Sequence, residues 1–507
     1  MRRIHLLLSV VLAGLLICAP AWAAAKRGGS INVGQGILPN LDPHFATGPS
    51  DLMVASQLYQ RLVDINQDHQ AVPDLAESWT SADGLTWTFK IRAGQKFSDG
   101  RPLTAKDVVF SFDRLRDPQV GTPVVGLYSA IKEVKALDDL TVQFTLSEPN
   151  PEFPVDTGEY HGAIIPAGSK DPGTERITSG AFMIKEYYPE DRIILVRNPH
   201  FNRLDSDGQP LPYLDEIVFL FSSDMIGQTE ALKTNDLDFI GGLAQELLEG
   251  LKDFQKTTRV ITQAENFHWS IHMRSDVDRP AADPRVRQAL KLGTDHEELI
   301  RAVRPGLAVV GNGTPVGPSY KDYYLDKKPV HDPEKARALL AEAGYKDGLN
   351  LEVVSMNWDE VTKISTVWAQ QMAKIGVKVQ IRQMPQDVYY ADGDDSWLKC
   401  DFGVTDWSTR GTPVTYFKLA YTLDATWNSA HWSDKEFDQL VRQVDTEMDL
   451  AKRVALYHQL QEIFIERGPS IITFMQESGA GLNKNLEGVQ LAYTWTITRF
   501  WNAWLNK

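Results

Sequence analysis

The feature of this sequence that most constrains its fold is an alternation between two spacings of apolar residues. Residues 85–91 and 140–146 place apolar side chains at every second position, which predicts half-buried β-strands. Between them, Thr104 is followed three residues later by Asp107 and then by apolar residues at helical spacing, which predicts a capped helix. Because both spacings recur to the end of the chain, the sequence predicts a mixed α/β fold.

The second half of the chain predicts strand–helix–strand units in regular order. Asp332 and Pro333 form a cap followed by a proline at the first helical position, and Gly344 is placed to end that helix. A strand at 349–354, a helix at 361–375 and a strand from 377 follow.

Two further helices are predicted near the C-terminus. Ser433 with Glu436 has the spacing of a capping box, and an apolar stripe over 454–464 predicts a helix that ends at Gly468-Pro469.

Two stretches of the sequence predict where the chain passes between domains. Residues 274–284 are polar and contain two prolines, and Gly479-Ala480-Gly481 follows a predicted strand at 471–475. Two crossings predict one lobe that is built from both ends of the chain and a second lobe from its middle.

The N-terminus predicts a cleavable secretion signal. Arg2 and Arg3 precede an apolar run that is too short to span a bilayer, and Ala21-Trp22-Ala23 has the small residues of a cleavage site. We therefore expect residues 1–23 to be removed and the protein to be released in soluble form. Lipidation at Cys18 is the alternative, but Ile17 stands where a lipoprotein signal needs a small side chain.

Charge and cysteine content exclude several partners. Cleavage after Ala23 leaves 50 basic and 67 acidic residues, a net charge of −17, which repels nucleic acid and anionic lipid. No later apolar run is long enough to cross a membrane, so direct membrane insertion is not expected. Cys400 would be the only cysteine left, so no internal disulfide can form, and the lobes must be held by their own cores.

Motifs of catalysis and metal binding are absent from the sequence. It contains no G-x-S-x-G elbow, no P-loop and no Cys-His arrangement around Cys400, so an enzyme is not expected. His268 and His272 have a spacing that would suit a metal on a helix, but their surroundings predict a strand, where residues four apart lie ~13 Å from each other. We expect no metal and no cofactor.

An ordered series of short motifs resembles the family 5 extracellular solute-binding proteins of ABC importers. The matching segments run in order over nearly the whole mature chain, and they are Gly28-Gly29-Ser30, residues 40–44, 72–79, 97–100, 104–108, Asn198-Pro199, 211–215 and 283–290.

This resemblance implies a periplasmic-binding-protein fold with a hinge between two lobes. Lobe I is expected at 24–270 plus 476–507, with an extra subdomain at about 71–168, and lobe II at 271–475. The resemblance further implies a protein in the periplasm that encloses a peptide or another small polar ligand between its lobes, and we expect a monomer. Its partners are then that ligand and the ABC permease in the inner membrane.

Ligand contacts are expected from both lobes. From lobe I we expect Gly36, Ile37 and Leu38, because the matching segment of similar proteins lies in the cleft. From lobe II we expect Trp358 and Asp359, on a loop that follows a strand, where α/β proteins place ligand contacts. Trp269 and Trp407 are the tryptophans that we expect at the cleft, although core packing explains many of the thirteen in the chain.

Arg410 is where the sequence departs from its relatives. Peptide-binding members carry an aspartate three residues after the tryptophan that matches Trp407, and that aspartate pairs with the ligand's α-ammonium. Here Thr409 is followed by Arg410 at that place. A guanidinium would repel an ammonium, but it has the planar fork that suits a carboxylate or phosphate, so we expect an acidic group of the ligand there. The ligand would then be an opine-like amino-acid conjugate, an acidic sugar derivative, or a peptide or peptide-like molecule bound in an unusual orientation. Asp359 or Glu360 would then meet a positive group. In the alternative, Arg410 points outward and pairs with Asp406.

Two other functions remain open at this point. A secreted hydrolase acting on a peptide or glycoside is the alternative from another class, and a sensor coupled to a chemoreceptor would share the fold of a binding protein.

Overall fold

The computed structural model describes residues 25–276, 278–391, 393 and 396–506. The predicted signal peptide at 1–23, with Cys18, lies outside the described residues.

Strands and helices alternate along the described chain. The strands are β1 (Ser30–Gln35), β2 (Val63–Ile65), β3 (Ala71–Pro73), β4 (Ala76–Thr80), β5 (Thr86–Ile91), β6 (Ile131–Asp138), β7 (Thr141–Leu146), β8 (Phe182–Tyr188), β9 (Arg192–Arg197), β10 (Glu216–Phe221), β11 (Phe239–Gly241), β12 (Thr258–Met273), β13 (Ala308–Val309), β14 (Leu349–Met356), β15 (Val377–Met384), β16 (Phe402–Trp407), β17 (Ser470–Asn483), β18 (Leu486–Glu487) and β19 (Trp504–Leu505). The helices are α1 (Pro49–Leu58), α2 (Ala105–Arg116), α3 (Phe153–Thr157), α4 (Pro172–Glu175), α5 (Met225–Lys233), α6 (Gln245–Lys252), α7 (Pro284–Gly293), α8 (His296–Val303), α9 (Pro333–Glu342), α10 (Asp359–Lys374), α11 (Gln386–Tyr389), α12 (Val414–Ala420), α13 (Lys435–Thr446) and α14 (Leu450–Arg467).

Most of the predicted elements are confirmed. β5 and β7 form where apolar side chains alternate, and the backbone N–H of Thr104 donates to the Asp107 carboxylate (2.8 Å) at the start of α2. Asp332 caps α9 by accepting from the backbone N–H of Lys335 (2.9 Å). β14, α10 and β15 follow as predicted, and α14 ends at Gly468.

The predicted capping box at Ser433 is wrong by one residue. The N-cap of α13 is Asp434, whose carboxylate accepts from the backbone N–H groups of Glu436 and Phe437. A carboxylate one residue later satisfies the first free N–H groups of the helix and adds a favourable charge at its N-terminus.

One sheet path connects the two lobes. Its strands lie in the order β15, β14, β16, β12, β17, β11, β1, β10, β9 and β8, and β13 pairs separately with β17. The long strands β12 and β17 lie in the middle of this path and pair with each other antiparallel. The first lobe contains β1 and β8 to β11, and the second contains β14 to β16, so β12 and β17 are the two crossings.

Strand pairing shows where the polar segment at 274–284 lies. Ile271 and Met273 pair with Val404 and Phe402 of the second lobe, so residues 274–284 form a loop inside that lobe. The ladder between β12 and β17 loses its register between Ala264 and His268. The lobe limits at 270/271 and 475/476 remain a prediction.

Gly479 and Gly481 lie inside β17 and do not end it. A Cβ atom on Gly479 would stand 2.2 Å from Leu248, and one on Gly481 would stand 2.5 Å from Leu251. These glycines therefore let α6 pack closely on the strand, which is why the sequence pattern looked like a break.

Separate apolar cores stabilise the parts of the molecule. One core contains side chains of α7, α10, β14 and β16, and another contains side chains of β1, β9 and β10. A third lies between α2 and a separate four-stranded sheet, β4-β5-β7-β6, within the range predicted for the extra subdomain. The exact limits of that subdomain remain a prediction.

Within the described residues, no helix combines the length and the apolar character that a membrane span requires. Cys400 is a free and buried cysteine, and burial raises the pKa of its thiol to about 12, which agrees with a packed side chain.

Candidate functional site

The ends of two parallel strands meet at the edge where the second lobe joins the first. Ser355 of β14 pairs with Val404 of β16, and both strands end within a few residues of that pair. His268 of β12 pairs with Trp407, the last residue of β16. The loops after β14 and β16 therefore lie beside the crossing strands, which is the place where ligands bind in many α/β proteins.

The loop after β16 is fixed through its backbone. The N–H of Arg410 donates to the Tyr416 hydroxyl (3.1 Å), and the carbonyl of Arg410 accepts from the Tyr320 hydroxyl (2.6 Å). The hydroxyl of Thr409 accepts from the backbone N–H of Asn266 (3.2 Å) in the β12 bulge. Trp407 is 5% exposed and packs among aromatic residues of the second lobe, so it attaches the start of the loop to that core.

The Arg410 guanidinium has unused hydrogen-bonding capacity. Its Nε is buried without a hydrogen-bond partner, and no carboxylate in the described part of the chain lies within ion-pair distance of it. Asp406, the predicted alternative partner, accepts a hydrogen bond from the Tyr390 hydroxyl. The alternative in which Arg410 pairs with Asp406 is therefore not what the structure contains.

Arg410 lies where both lobes approach each other. A side chain added at its neighbour Gly411 would contact Val155 of the first lobe at 3.0 Å. The Glu159 carboxylate and burial raise the pKa of Tyr160, also in the first lobe, while the Arg410 guanidinium opposes that rise. On the other side, burial lowers the pKa of His268 to about 4 with a contribution from Arg410, so His268 is neutral and does not supply a second positive charge at neutral pH.

The two carboxylates at the start of α10 differ in their surroundings. The side chain of Asp359 is 83% exposed and pairs with Lys363 (2.8 Å) one helical turn away. Glu360 accepts a hydrogen bond from Gln476 (3.0 Å) on β17 and lies 3.4 Å from a nitrogen of Arg304. Burial raises the pKa of Glu360, so its negative charge is only partly stabilised by these neighbours.

Aromatic rings line the same junction. Trp269 is 2% exposed, and its ring contacts the rings of Phe267 (5.8 Å) and Trp358 (6.3 Å) edge to face. Trp358 is 43% exposed, so it presents an indole face to solvent at the start of α10. Trp269 supports that ring from the core.

The predicted first-lobe segment follows β1. Ile37 is 55% exposed, whereas Leu38 is 3% exposed and belongs to the first-lobe core. The carbonyl of Leu38 accepts a hydrogen bond from the Tyr187 hydroxyl (3.2 Å), and Gly36 lies close to the Ser50 hydroxyl. Leu38 therefore anchors the segment, and Ile37 is the side chain that remains available for contact.

Sequence reasoning missed three buried residues of the junction. Asn266 uses its amide to bind the carbonyl of Pro315 (2.7 Å) and the N–H of Gly317 (2.6 Å). Glu265 accepts from the N–H of Trp495 (2.9 Å). His69 packs between the rings of Tyr320 (4.2 Å) and Tyr493 (5.2 Å). The polar pair Glu265-Asn266 inside a strand pattern was the available signal, since buried polar groups in strands need specific partners.

The structure gives no metal centre within its described residues. No group of three or more His, Cys, Asp or Glu side chains there is arranged to hold an ion. The His268 ring nitrogen lies 2.9 Å from the carbonyl of Asn266, and the His272 ring nitrogen lies 3.4 Å from the carbonyl of Cys400.

Comparison with known proteins gives matches over most of the chain. A family model described as bacterial extracellular solute-binding proteins, family 5 Middle, matches residues 70–429. The glutathione-binding protein GsiB of Pectobacterium atrosepticum is 28% identical over 491 residues, which cover 93% of each chain. The periplasmic oligopeptide-binding protein OppA of Escherichia coli is 27% identical over 463 residues, which cover 83% of this chain and 82% of OppA.

A solved structure matches the fold over a similar length. The ABC transporter substrate-binding protein CtaP of Listeria monocytogenes superposes with a TM-score of 0.81 at 23% identity, covering 95% of this chain and 100% of CtaP. This match confirms the predicted two-lobed architecture.

Proposed function

The chain belongs to the bacterial extracellular solute-binding proteins of family 5, and on that premise we propose that it delivers a peptide-like ligand with a carboxylate at Arg410 to an ABC importer. The observation that carries the proposal is the Arg410 guanidinium, which lies at the junction of the lobes without an ion-pair partner among the described residues. The relatives reported above are binding proteins, and none of them supports the alternative of a secreted hydrolase.

The acidic group of the ligand follows from the chemistry of arginine. A guanidinium that is partly removed from water is stabilised by an anion, and its planar fork binds a carboxylate through two parallel hydrogen bonds. A ligand ammonium at the same place would meet like-charge repulsion in a partly desolvated site.

The positive group of the ligand has a different place. We propose that it meets Glu360, because the Asp359 side chain is 83% exposed, whereas Glu360 is partly buried and its pKa stays raised although Arg304 and Gln476 lie beside it. An ammonium beside Glu360 would lower that pKa again by favouring the charged carboxylate. Trp358, Thr409 and Ile37 would cover the uncharged part of the ligand.

Peptide-like ligands with more than one carboxylate fit this arrangement. Glutathione carries two carboxylates and one ammonium, and GsiB is described as a glutathione-binding protein. We therefore take glutathione as the first probe and γ-glutamyl or other acidic peptides as the wider class. Opine-like conjugates, which combine carboxylates with an amine, share the same chemistry.

The cellular setting belongs to the same proposal. OppA is described as periplasmic and CtaP as an ABC transporter protein, which supports a periplasmic monomer that docks on an inner-membrane permease. Cleavage of the signal peptide after Ala23 is part of this proposal.

Isothermal calorimetry with reduced glutathione tests the ligand assignment. Wild type is compared with Arg410→Ala, Arg410→Lys and, as a matched control, Arg442→Ala on the exposed face of α13. Arg410→Ala should lose about 1.5–3 kcal/mol of binding free energy, which is roughly ten- to a hundredfold in affinity, since hydrogen bonds to charged groups contribute that much. Arg410→Lys should recover part of the loss, and Arg442→Ala should bind as wild type does.

Two results would contradict this assignment. Equal affinity of wild type and Arg410→Ala for the same ligand would remove Arg410 from the site. Mass spectrometry of ligand retained by the purified protein is the second measurement, and an ordinary peptide bound with its free amine beside residue 410 would exclude an acidic group there.

A further inference from the structure

The second lobe contains a cavity of about 330 Å³ that is separate from the lobe junction. It lies between the start of β17, the end of α14 and the loop that precedes α9, and every residue that lines it belongs to the second lobe. Its volume is in the range of small-molecule sites, roughly 300–1,000 Å³.

The walls of this cavity are largely apolar. Leu292, Ile465, Ile471 and Ile472 line it, and Pro329 with Val330 forms part of its mouth. Val330 is 64% exposed, although a valine gains free energy when it is covered. An apolar group that entered the cavity would cover these side chains.

A cation lies in the wall of the cavity without a counter-charge. The Lys291 ammonium donates to the carbonyl of Phe464 (2.6 Å) and points also at that of Ile465 (3.4 Å). No carboxylate of the described chain lies within ion-pair distance of it. Burial, with a smaller contribution from Arg287, lowers the pKa of Lys291 to about 7. No negative group opposes this shift, so an anion in the cavity would stabilise the ammonium.

A second polar group accompanies the lysine. Ser470 is 1% exposed and lines the cavity, and its hydroxyl interacts with the Tyr421 hydroxyl, where it opposes the rise that burial causes in the pKa of Tyr421. A serine hydroxyl has one donor and two acceptor positions, so a contact with Tyr421 leaves capacity for a ligand oxygen.

The rim of the cavity is more basic than acidic. Lys327, Lys328 and Lys335 line it, against Asp332 and Glu466. With Lys291 the site has an excess of positive charge on a protein whose formal net charge is −15. Such a local excess attracts small anions in spite of the overall charge.

We propose that this cavity binds a small carboxylate with an apolar tail, its carboxylate at Lys291 and Ser470 and its tail along Leu292 and the isoleucines. The site is additional to the ligand site at the lobe junction and requires neither Arg410 nor closure of the lobes.

Calorimetric titration of the whole mature protein with butanoate, hexanoate and octanoate tests this site. Affinity should rise about fourfold for each methylene added, the factor that corresponds to burial of one such group. Lys291→Met, which keeps the apolar stem and removes the charge, should weaken octanoate binding at least tenfold. Lys378→Met, on the exposed face of β15, is the matched control and should leave it unchanged, as should Arg410→Ala.

Octanoate binding of equal strength in wild type and Lys291→Met would overturn the proposal, and so would the absence of binding at millimolar octanoate. If Lys291→Met fails to fold, Val330→Glu replaces it, because Val330 is exposed at the mouth and a carboxylate there would repel the ligand. Unchanged octanoate affinity in Val330→Glu would likewise contradict the site. Glutathione binding should be the same in all of these variants except Arg410→Ala, so failure here leaves the function proposed above unaffected.

Discussion

Individual charged side chains at the lobe junction differ chiefly in whether a group of opposite charge lies within ion-pair distance. Asp359 has Lys363, and Glu360 has Arg304 and Gln476, but Arg410 has no carboxylate near it among the described residues. A charge held at a junction without a partner is stabilised only when something else brings the opposite charge. This is why a single residue decides the proposed ligand class.

Trp358 should affect binding far more than stability. Its ring is 43% exposed and contacts the ring of Trp269 edge to face, so Trp358→Ala removes a partly buried ring and leaves Trp269 in the core. We expect glutathione affinity to fall severalfold and the melting temperature to change by only a few degrees, since a loss of about 1 kcal/mol shifts the melting temperature little in a chain of this length. Calorimetry and thermal unfolding measure the two effects. Wild-type affinity in Trp358→Ala would place the site elsewhere.

Glu265 gives a prediction with a definite pH sign. Burial raises its pKa to about 7, above the ordinary value of 4.5, so the folded state holds a proton that the unfolded state has released between those values. Glu265 therefore lowers the free energy of unfolding as pH rises from 4.5 to 7, by about 3 kcal/mol at most. This loss of stability remains above pH 7.

Replacing Glu265 with glutamine should remove this dependence. Glu265→Gln keeps an acceptor for the N–H of Trp495 and carries no charge. Its melting temperature should match wild type near pH 4.5 and exceed it at pH 8. Because both proteins contain the same buried histidines, only the difference between them reports on Glu265. A difference that is constant from pH 4.5 to 8 would show that Glu265 does not titrate in this range.

Helices and strands followed from local sequence where one spacing ran without interruption, as in β5, α9 and α10. Their limits were harder to place where a contact with a residue distant in sequence determines them. Gly479 and Gly481 read as a break, because the sequence does not reveal that α6 packs on β17 at that point. Arg410 and Trp358 follow strand ends, so their places in the fold could be expected from the sequence, and their contact with ligand stays a prediction. Asn266, Glu265 and His69 gain their partners from segments distant in sequence.

The close packing of α6 on β17 can be tested with two glycines. Gly479→Ala would bring a methyl group to 2.2 Å from Leu248, which forces the helix or the side chain to move, and should cost about 1–3 kcal/mol of unfolding free energy. Gly250→Ala, in α6 with nothing within 4 Å of the new methyl group, is the control and should stabilise the protein by up to ~1 kcal/mol through helix propensity. Urea unfolding compares them, and equal stability of the two variants would contradict this packing.

At the scale of the whole molecule, the two lobes are joined by β12 and β17, and several of the contacts between the lobes are polar. Gln70 donates to Asp322 (2.8 Å), and the Glu152 carboxylate accepts from Tyr323 (2.8 Å) and Tyr457 (3.1 Å). Polar contacts exchange readily with water, so the crossing strands determine how the lobes move. The β12 ladder is irregular between Ala264 and Ser270, and a strand bends most easily where its pairing is interrupted.

We therefore expect ligand binding to close the lobes by bending at about 264–270 and at the facing part of β17. A ligand that touches Arg410 in one lobe and Ile37 in the other favours the closed arrangement by its differential affinity, which is how hinge proteins respond to ligand. Small-angle X-ray scattering should give a smaller radius of gyration with glutathione at a concentration that calorimetry shows to be saturating. Arg410→Ala at the same glutathione concentration is the control, and its radius should lie closer to the ligand-free value, in proportion to the smaller fraction that is bound. An unchanged radius in the saturated wild-type protein would mean that binding does not close the lobes, because closure of two lobes of this size necessarily makes the molecule more compact.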